Sequence, residues 1–309
     1  MNDRFIIGSR GSKLALTQAE WAKAKLSLLN PGIDLRIEII KTSGDVKTEP
    51  LSVIGGKGVF TKELEDALLD RRIEIAVHSL KDLPTIVSDG LTIAAICERE
   101  DPRDALVPQV NSDLSCSSPK DLPAGAVVGT SSPRRLAQLA HLRSDLLIKD
   151  LRGNVDTRLR KLDEGQYDAV ILAAAGLRRL GLEQRISAAI PTEQMLPAVG
   201  QGALGIEIRS DDPDAIRVVA KLDHQTTRIA CTAERALLRA LGGGCQLPIA
   251  AYGTVYADKL KLDGLVASRD GKQIVRDRIS GPSNNAEELG VELANRLLEL
   301  GARELLIER

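Results

Sequence analysis

The chain has 309 residues, 43% of them apolar and 28% charged, with a formal net charge of −1. That is ordinary globular usage, long enough for two or three domains with a core each, and it excludes a disordered chain, a collagen-like repeat and a coiled coil. No stretch approaches the ~20 apolar residues that cross a bilayer, and no basic leader precedes a long apolar segment, so a soluble cytoplasmic protein is expected.

The first third alternates short apolar runs with amphipathic stretches, the pattern of α/β units on mainly parallel sheets. A strand over Phe5–Gly8 leads through Ser9-Arg10-Gly11-Ser12 into a helix carrying Leu14, Ala15, Ala19, Ala22, Leu26 and Leu29, with Ser12 as its N-cap. A strand over Leu35–Ile40 follows. Gly55-Gly56-Lys57-Gly58 resembles a phosphate loop, but its glycine spacing is wrong and no Ser or Thr follows the lysine, so it is a basic loop for an unassigned anion. A helix through Leu64, Ala67 and Leu68 precedes a strand over Ile73–His78, which exits into Leu80-Lys81-Asp82-Leu83-Pro84. Pro84 disfavours helical geometry at Leu83, which puts Asp82 on a stiff turn. A carboxylate there can stabilise a developing cation or move a proton, although a turn-forming Asp beside a surface Lys has the same sequence. His78 reads as a core-edge histidine. A strand over Leu91–Ile96 ends in the polar run at 98–104, read as a hinge.

In the middle third, strands are predicted over Ala126–Gly129, Leu146–Asp150 and Ala169–Ala173. Thr130-Ser131-Ser132-Pro133-Arg134-Arg135 supplies a serine cap, a proline for the first helical position and two arginines in the opening turn. Cations there oppose the helix dipole at a cost of roughly 0.3–1 kcal/mol, a conflict that a bound anion removes. Leu151-Arg152-Gly153-Asn154 leads into a helix bearing Arg158. From Arg134 to Arg185 the chain has eleven Lys and Arg against seven Asp and Glu. Arginine's planar fork suits carboxylates and phosphates, and such loops at strand ends imply a ligand with several anionic groups.

Gly200-Gln201-Gly202-Ala203-Leu204-Gly205 matches a dinucleotide pattern, but Ile206-Glu207-Ile208-Arg209 alternates like a strand, so no such fingerprint is assigned. Ser210–Asp214 reads as a second hinge. A helix through Ala233–Ala240 runs into Gly242-Gly243-Gly244-Cys245, where bare glycines favour an exposed thiol. Beyond it, Val255, Leu260, Leu262, Leu265, Ile274 and Val275 indicate a small antiparallel sheet closed by a helix near 286–300. The cysteines, Cys97, Cys116, Cys231 and Cys245, form no C-x-x-C pair, so neither a metal site nor a disulfide is expected. Aromatics at 2% and the slightly negative charge argue against a nucleic-acid partner. A non-catalytic anion-binding module is the alternative to an enzyme.

The strings GSRGSKLALTQA, KTSGD, GGKGVFTKELE, AVHSLKDLP, EREDPRDAL, VGTSSPRRLAQL, LRGNVDTRL and GGGCQLPIAAY, in this order, closely resemble the porphobilinogen deaminase (hydroxymethylbilane synthase) family. Lys13, where the family favours proline, and Thr17, where tryptophan is common, are small departures. The resemblance implies an α/β fold of three domains. Two periplasmic-binding-protein-like lobes, 1–98 with 197–217 and 103–193, would flank a cleft, with a small α+β domain over 220–309. It implies head-to-tail condensation of four porphobilinogen molecules with loss of ammonia, then hydrolysis to hydroxymethylbilane. By similarity Cys245 carries a dipyrromethane cofactor through a thioether, and Asp82 is the catalytic carboxylate. Ser12, Lys81, Thr130, Ser132, Arg134 and Arg135 would hold the cofactor, while Arg10, Lys57, Phe60, Arg152, Arg158 and Arg179 would serve the substrate. The small-molecule substrate would be the partner of a monomer, with no nucleic acid, membrane or metal.

Overall fold

The computed structural model describes residues 3–41, 61–110, 116–244 and 246–307. The chain divides into two compact units, Met1–Glu100 with Ala203–Arg228, and Asp101–Gly202 with Ile229–Arg309. In chain order the elements are β1 (Arg4–Ser9), α1 (Lys13–Leu29), β2 (Asp34–Ile39), α2 (Lys62–Leu69), β3 (Ile75–Ser79), β4 (Leu91–Ile96), β5 (Asp104–Pro108) and β6 (Val127–Gly129). Then come α3 (Pro133–Leu142), β7 (Leu147–Lys149), α4 (Val155–Asp163), β8 (Ala169–Ala173), α5 (Ala174–Arg179), β9 (Ala188–Ala189), β10 (Leu204–Arg209), α6 (Pro213–Val219) and α7 (Gln225–Ala240). The chain ends with β11 (Ile249–Tyr256), β12 (Lys259–Ala267), β13 (Ile274–Pro282), α8 (Ala286–Leu297) and α9 (Arg303–Ile307).

The first unit holds a five-stranded sheet in the order β2-β1-β3-β10-β4, and the second holds one in the order β7-β6-β8-β5-β9. In the first, β1 pairs parallel with β2 and β3 while β10 runs antiparallel to β3 and β4. In the second, β6 pairs parallel with β7 and β8 while β5 runs antiparallel to β8 and β9. The two sheets therefore repeat one plan, three parallel strands and an antiparallel fourth. A third sheet, β11-β12-β13, is an antiparallel meander. The α/β units and the small antiparallel C-terminal sheet are those expected from the residues, and the presence of two α/β lobes is that expected from the family resemblance.

The inner strands of the first sheet are buried on both faces, which explains why β1 and β3 lack polar alternation, whereas edge strand β2, Asp34-Leu35-Arg36-Ile37-Glu38-Ile39, alternates and is partly exposed. Phe5, Ile7 and Val77 pack against Ala19, Ala22 and Leu26 of α1, while Ala76 and Ile73 pack with Leu64 and Leu68 of α2. His78 is buried as expected, its Nε2 3.1 Å from Glu207 Oε2. In the second unit Leu260, Leu262 and Val266 of β12 pack with Leu289, Leu293 and Leu297 of α8. One expectation is corrected. The chain re-enters the first unit at Ala203, and Ser210–Asp214 is the turn from β10 to α6 inside that unit instead of a hinge; Asp212 caps α6 by accepting from Ala215 N at 2.9 Å.

Candidate active site

In the first unit two loops at carboxyl ends of parallel strands carry predicted site residues. Ser12 caps α1, its Oγ accepting from Ala15 N at 3.3 Å, and Arg10 lies half-buried before it. At the end of β3 the chain makes one tight turn over Leu80–Asp82, closed by Leu83 N donating to Leu80 O at 3.2 Å. Leu83 is extended, at φ −77° and ψ 135°, as the following proline requires. Leu80 and Leu83 are buried, and Leu80 N donates to Ala203 O at 3.0 Å, so the turn is anchored on both sides. Gly205 of β10 makes room for them, since a Cβ there would stand 2.9 Å from Leu83 and 3.1 Å from Leu80. The anchoring leaves Lys81 half-buried and the Asp82 carboxylate exposed on a rigid support.

In the second unit the loop after β6 is tied to its neighbours. Thr130 N donates to Lys149 O at 2.9 Å, and Thr130 Oγ1 accepts from Ser132 N at 3.2 Å. Ser132 caps α3 and Pro133 occupies its first turn, as the residues predict. Arg134 and Arg135, however, point inward. Arg134 donates to Asp104 at 2.6 and 3.2 Å and to Leu196 O at 2.8 Å, and Arg135 donates to Asp104 at 2.9 Å and to Ile171 O at 3.0 Å. Gln201 Nε2 adds a bond to Asp104 at 3.0 Å. Asp104 has no exposed surface, and both arginines are buried. Burial alone would raise the Asp104 pKa, but the charges of Arg134 and Arg135, with bonds from Arg134 and Gln201, hold it far below the ordinary carboxylate value. Burial pulls the Arg135 pKa below the usual arginine value against the opposing charge of Asp104, and Arg134 adds to the fall. Part of the anion that the opening turn of α3 demands is thus supplied by the chain itself.

The loop after β7 is more open. Arg152 Nε donates to Asp150 at 2.6 Å, Arg158 Nε donates to Gly153 O at 2.7 Å, and all three side chains retain solvent access. Burial would raise the Asp150 pKa, but bonds from Arg152 and Ser131 and the charges of Arg152 and Arg158 leave it lowered. Arg179, at the end of α5, donates to Gly202 O at 2.6 Å. A pocket of about 240 Å³ between these loops is lined by Thr130, Ser131, Pro133, Leu136, Asp150, Gln246 and Arg269. Gln246 is the chain neighbour of Cys245. Lys57, Phe60 and Cys245 themselves lie outside the described residues. Asp104, Gln201, Asp150 and Arg269 were not singled out from the sequence. The only sign of Asp104 was its place in the string EREDPRDAL, where the polar run read as a hinge.

Residues 5–217 match the family model described as porphobilinogen deaminase, dipyromethane cofactor binding domain, and residues 228–299 match the porphobilinogen deaminase C-terminal domain. The chain belongs to the porphobilinogen deaminase family. A protein named porphobilinogen deaminase from Pelobacter propionicus is 52% identical over 98% of this chain and 96% of its own length. One from Chromobacterium violaceum is 51% identical over 98% and 97%. The solved structure of the Lactococcus lactis GlnP substrate binding domain 2 aligns at 16% identity and a TM-score of 0.44, over 78% of this chain and 91% of that one.

A pyrrole cofactor bearing acetate and propionate side chains fits what the second unit presents. Among the described residues two buried guanidiniums face one carboxylate, a surplus of one positive charge, and Arg134 Nε is buried with no hydrogen-bond partner. Interior charge of that kind is costly unless an anion completes it.

Proposed function

We propose that the chain condenses four porphobilinogen molecules head to tail with loss of ammonia and releases hydroxymethylbilane by hydrolysis, as a step of tetrapyrrole biosynthesis. The observation that carries this reading is the buried cluster of Arg134, Arg135 and Asp104 with its surplus positive charge, in a chain of this family. Cys245 attaches the dipyrromethane through a thioether, and Ser12, Lys81, Thr130, Ser132, Arg134 and Arg135 hold it. When bound, the dipyrromethane supplies the electron-rich pyrrole carbon at which units are added.

Arg10, Lys57, Phe60, Arg152, Arg158 and Arg179 receive the substrate. The arginines neutralise its acetate and propionate, which a forked guanidinium grips in pairs. Asp82 faces the positive charge that develops on the substrate as ammonia leaves, and its rigid turn keeps the carboxylate placed without reorganisation. It then accepts the proton that the newly added ring releases. In this reading the enzyme is a cytoplasmic monomer, and 1–98 with 197–217, 103–193 and 220–309 serve as three domains. Among the described residues no helix is long and apolar enough to cross a membrane.

An intact mass of the purified protein under denaturing conditions tests the proposal. The polypeptide mass should be exceeded by two linked pyrrole units, and Cys245→Ser should remove the excess. A bare polypeptide mass in active protein would overturn the cofactor assignment, and a bare mass in protein without turnover would favour a non-catalytic anion-binding module.

A further inference from the structure

Consecutive residues of an α-helix point about 100° apart, so Arg134 and Arg135 do not face each other by virtue of helix geometry. Two guanidiniums brought together in the interior also repel. Both nevertheless converge, and what they share is Asp104. Its Oδ2 accepts from Arg134 Nη1 at 2.6 Å, and its Oδ1 accepts from Arg134 Nη2 at 3.2 Å and Arg135 Nε at 2.9 Å. Backbone carbonyls hold each guanidinium as well: Arg134 Nη1, already bonded to Asp104, also donates to Leu196 O at 2.8 Å, and Arg135 Nη1, on the side away from Asp104, donates to Ile171 O at 3.0 Å.

Asp104 is itself held. It opens β5 in register with Ala173 of β8, its carbonyl accepts from Ile190 N at 2.7 Å, and its Oδ1 also accepts from Gln201 Nε2 at 3.0 Å. Gln201 is fixed in turn by donating to Pro102 O at 2.7 Å. A carboxylate placed this firmly cancels one of the two charges and leaves the other. We propose that Asp104 is a positioning residue that assembles Arg134 and Arg135 into a preformed, singly positive receptor for a carboxylate of the pyrrole cofactor. This rests on the reading that these arginines hold the cofactor.

Charge balance and positioning make opposite predictions in an Arg134→Met background. That variant leaves Arg135 neutralised by Asp104, and adding Asp104→Asn restores a net positive charge while removing the carboxylate that orients Arg135. Each cofactor-free protein is incubated with porphobilinogen, and the rate of covalent loading per folded molecule is followed by intact mass, with folding checked by thermal melting. Positioning predicts that adding Asp104→Asn slows loading further, by about tenfold, the value of one charge-assisted hydrogen bond. The KM for porphobilinogen of the molecules that do load should stay within about twofold of Arg134→Met. Loading that is unchanged or faster in the double variant overturns the proposal. Arg135→Ala, measured alongside, separates the two levels. If it loads like wild type, the cofactor reading falls and this inference with it. If it fails to load while the Asp104 variants load normally, only the role of Asp104 is refuted.

Discussion

The loops that follow β6 and β7 both carry arginines beside an aspartate, and they are built in opposite ways. After β6, Arg134 and Arg135 are sealed against Asp104, which has no exposed surface. After β7, Arg152 meets Asp150 at 2.6 Å with side chains 41% and 58% exposed, and Arg158 caps a carbonyl at the loop's edge. In the interior the guanidiniums are fixed by neighbours that cannot move away, so their geometry is set before any ligand arrives. At the surface, water competes with every partner, and an arginine can exchange a weak local bond for a stronger forked one. A fixed pair suits a group that stays on the enzyme, whereas exchangeable arginines suit units that arrive in turn.

The sharpest way to break this comparison is to remove each aspartate. Asp104→Ala leaves two buried guanidiniums without their carboxylate, and should cost roughly 3–5 kcal/mol of stability, as loss of one partner from a buried ion pair does. Equilibrium urea unfolding measures it. A cost below about 1 kcal/mol would mean that solvent reaches the cluster.

Acid should act through the same group. The Asp104 pKa in the folded chain lies below the ordinary carboxylate value of about 3.9. Its contribution is therefore fully present above that value and is lost as pH falls below it toward the folded pKa. Unfolding free energies measured from pH 6 downward should fall more steeply below about pH 4 in wild type than in Asp104→Asn. Equal slopes would exclude Asp104 as a determinant of acid stability.

For the open loop the expected effect is kinetic. Arg152→Ala should fold and acquire its cofactor normally, yet slow one addition by about tenfold, because a newly presented carboxylate loses a forked partner. Mass spectrometry after brief exposure to porphobilinogen should then show partial chains accumulating on the enzyme. A wild-type distribution of partial chains would make Arg152 general surface charge.

The same contrast marks what could be read in the sequence. Ala169–Ala173 was legible to the residue, because a strand buried on both faces reads as a continuous apolar run, and Leu91–Ile96, a half-buried edge strand, was legible because it is apolar but for Thr92. The caps at Ser12 and Ser132 were legible because a cap is a contact within three residues. β5 was missed since it begins with the charged Asp104, and β9 is too short to show a period. The arginines of both loops were legible as types, but not that one pair is buried. Asp104 lies thirty residues before Arg134, and nothing local announces that contact. From the residues alone Lys57 reads as part of a basic glycine loop and Cys245 as an exposed thiol, but the roles of Lys57, Phe60 and Cys245 rest on family resemblance.

The smallest effect concerns Asp150, and it tests whether exposure alone decides the difference between the loops. Asp150 has a 2.6 Å bond to Arg152, as short as the shortest at Asp104, and it is also supported by the charge of Arg158. If bond length governed the energetics, Asp150→Asn and Asp104→Asn would be similarly damaging. Solvent screening predicts otherwise, because an exposed ion pair gives back in hydration most of what it gains in attraction, and is typically worth ~0–1 kcal/mol. Asp150→Asn should therefore shift the urea midpoint little, and raising the salt concentration should shrink even that shift. It should also leave Arg152 freer to engage a carboxylate. The load of partial chains in Asp150→Asn is thus expected to match or fall below that of wild type, opposite in direction to Arg152→Ala. A loss of stability above about 2 kcal/mol, or partial chains accumulating as in Arg152→Ala, would place Asp150 among the structural supports of its loop and remove the distinction between the two sites.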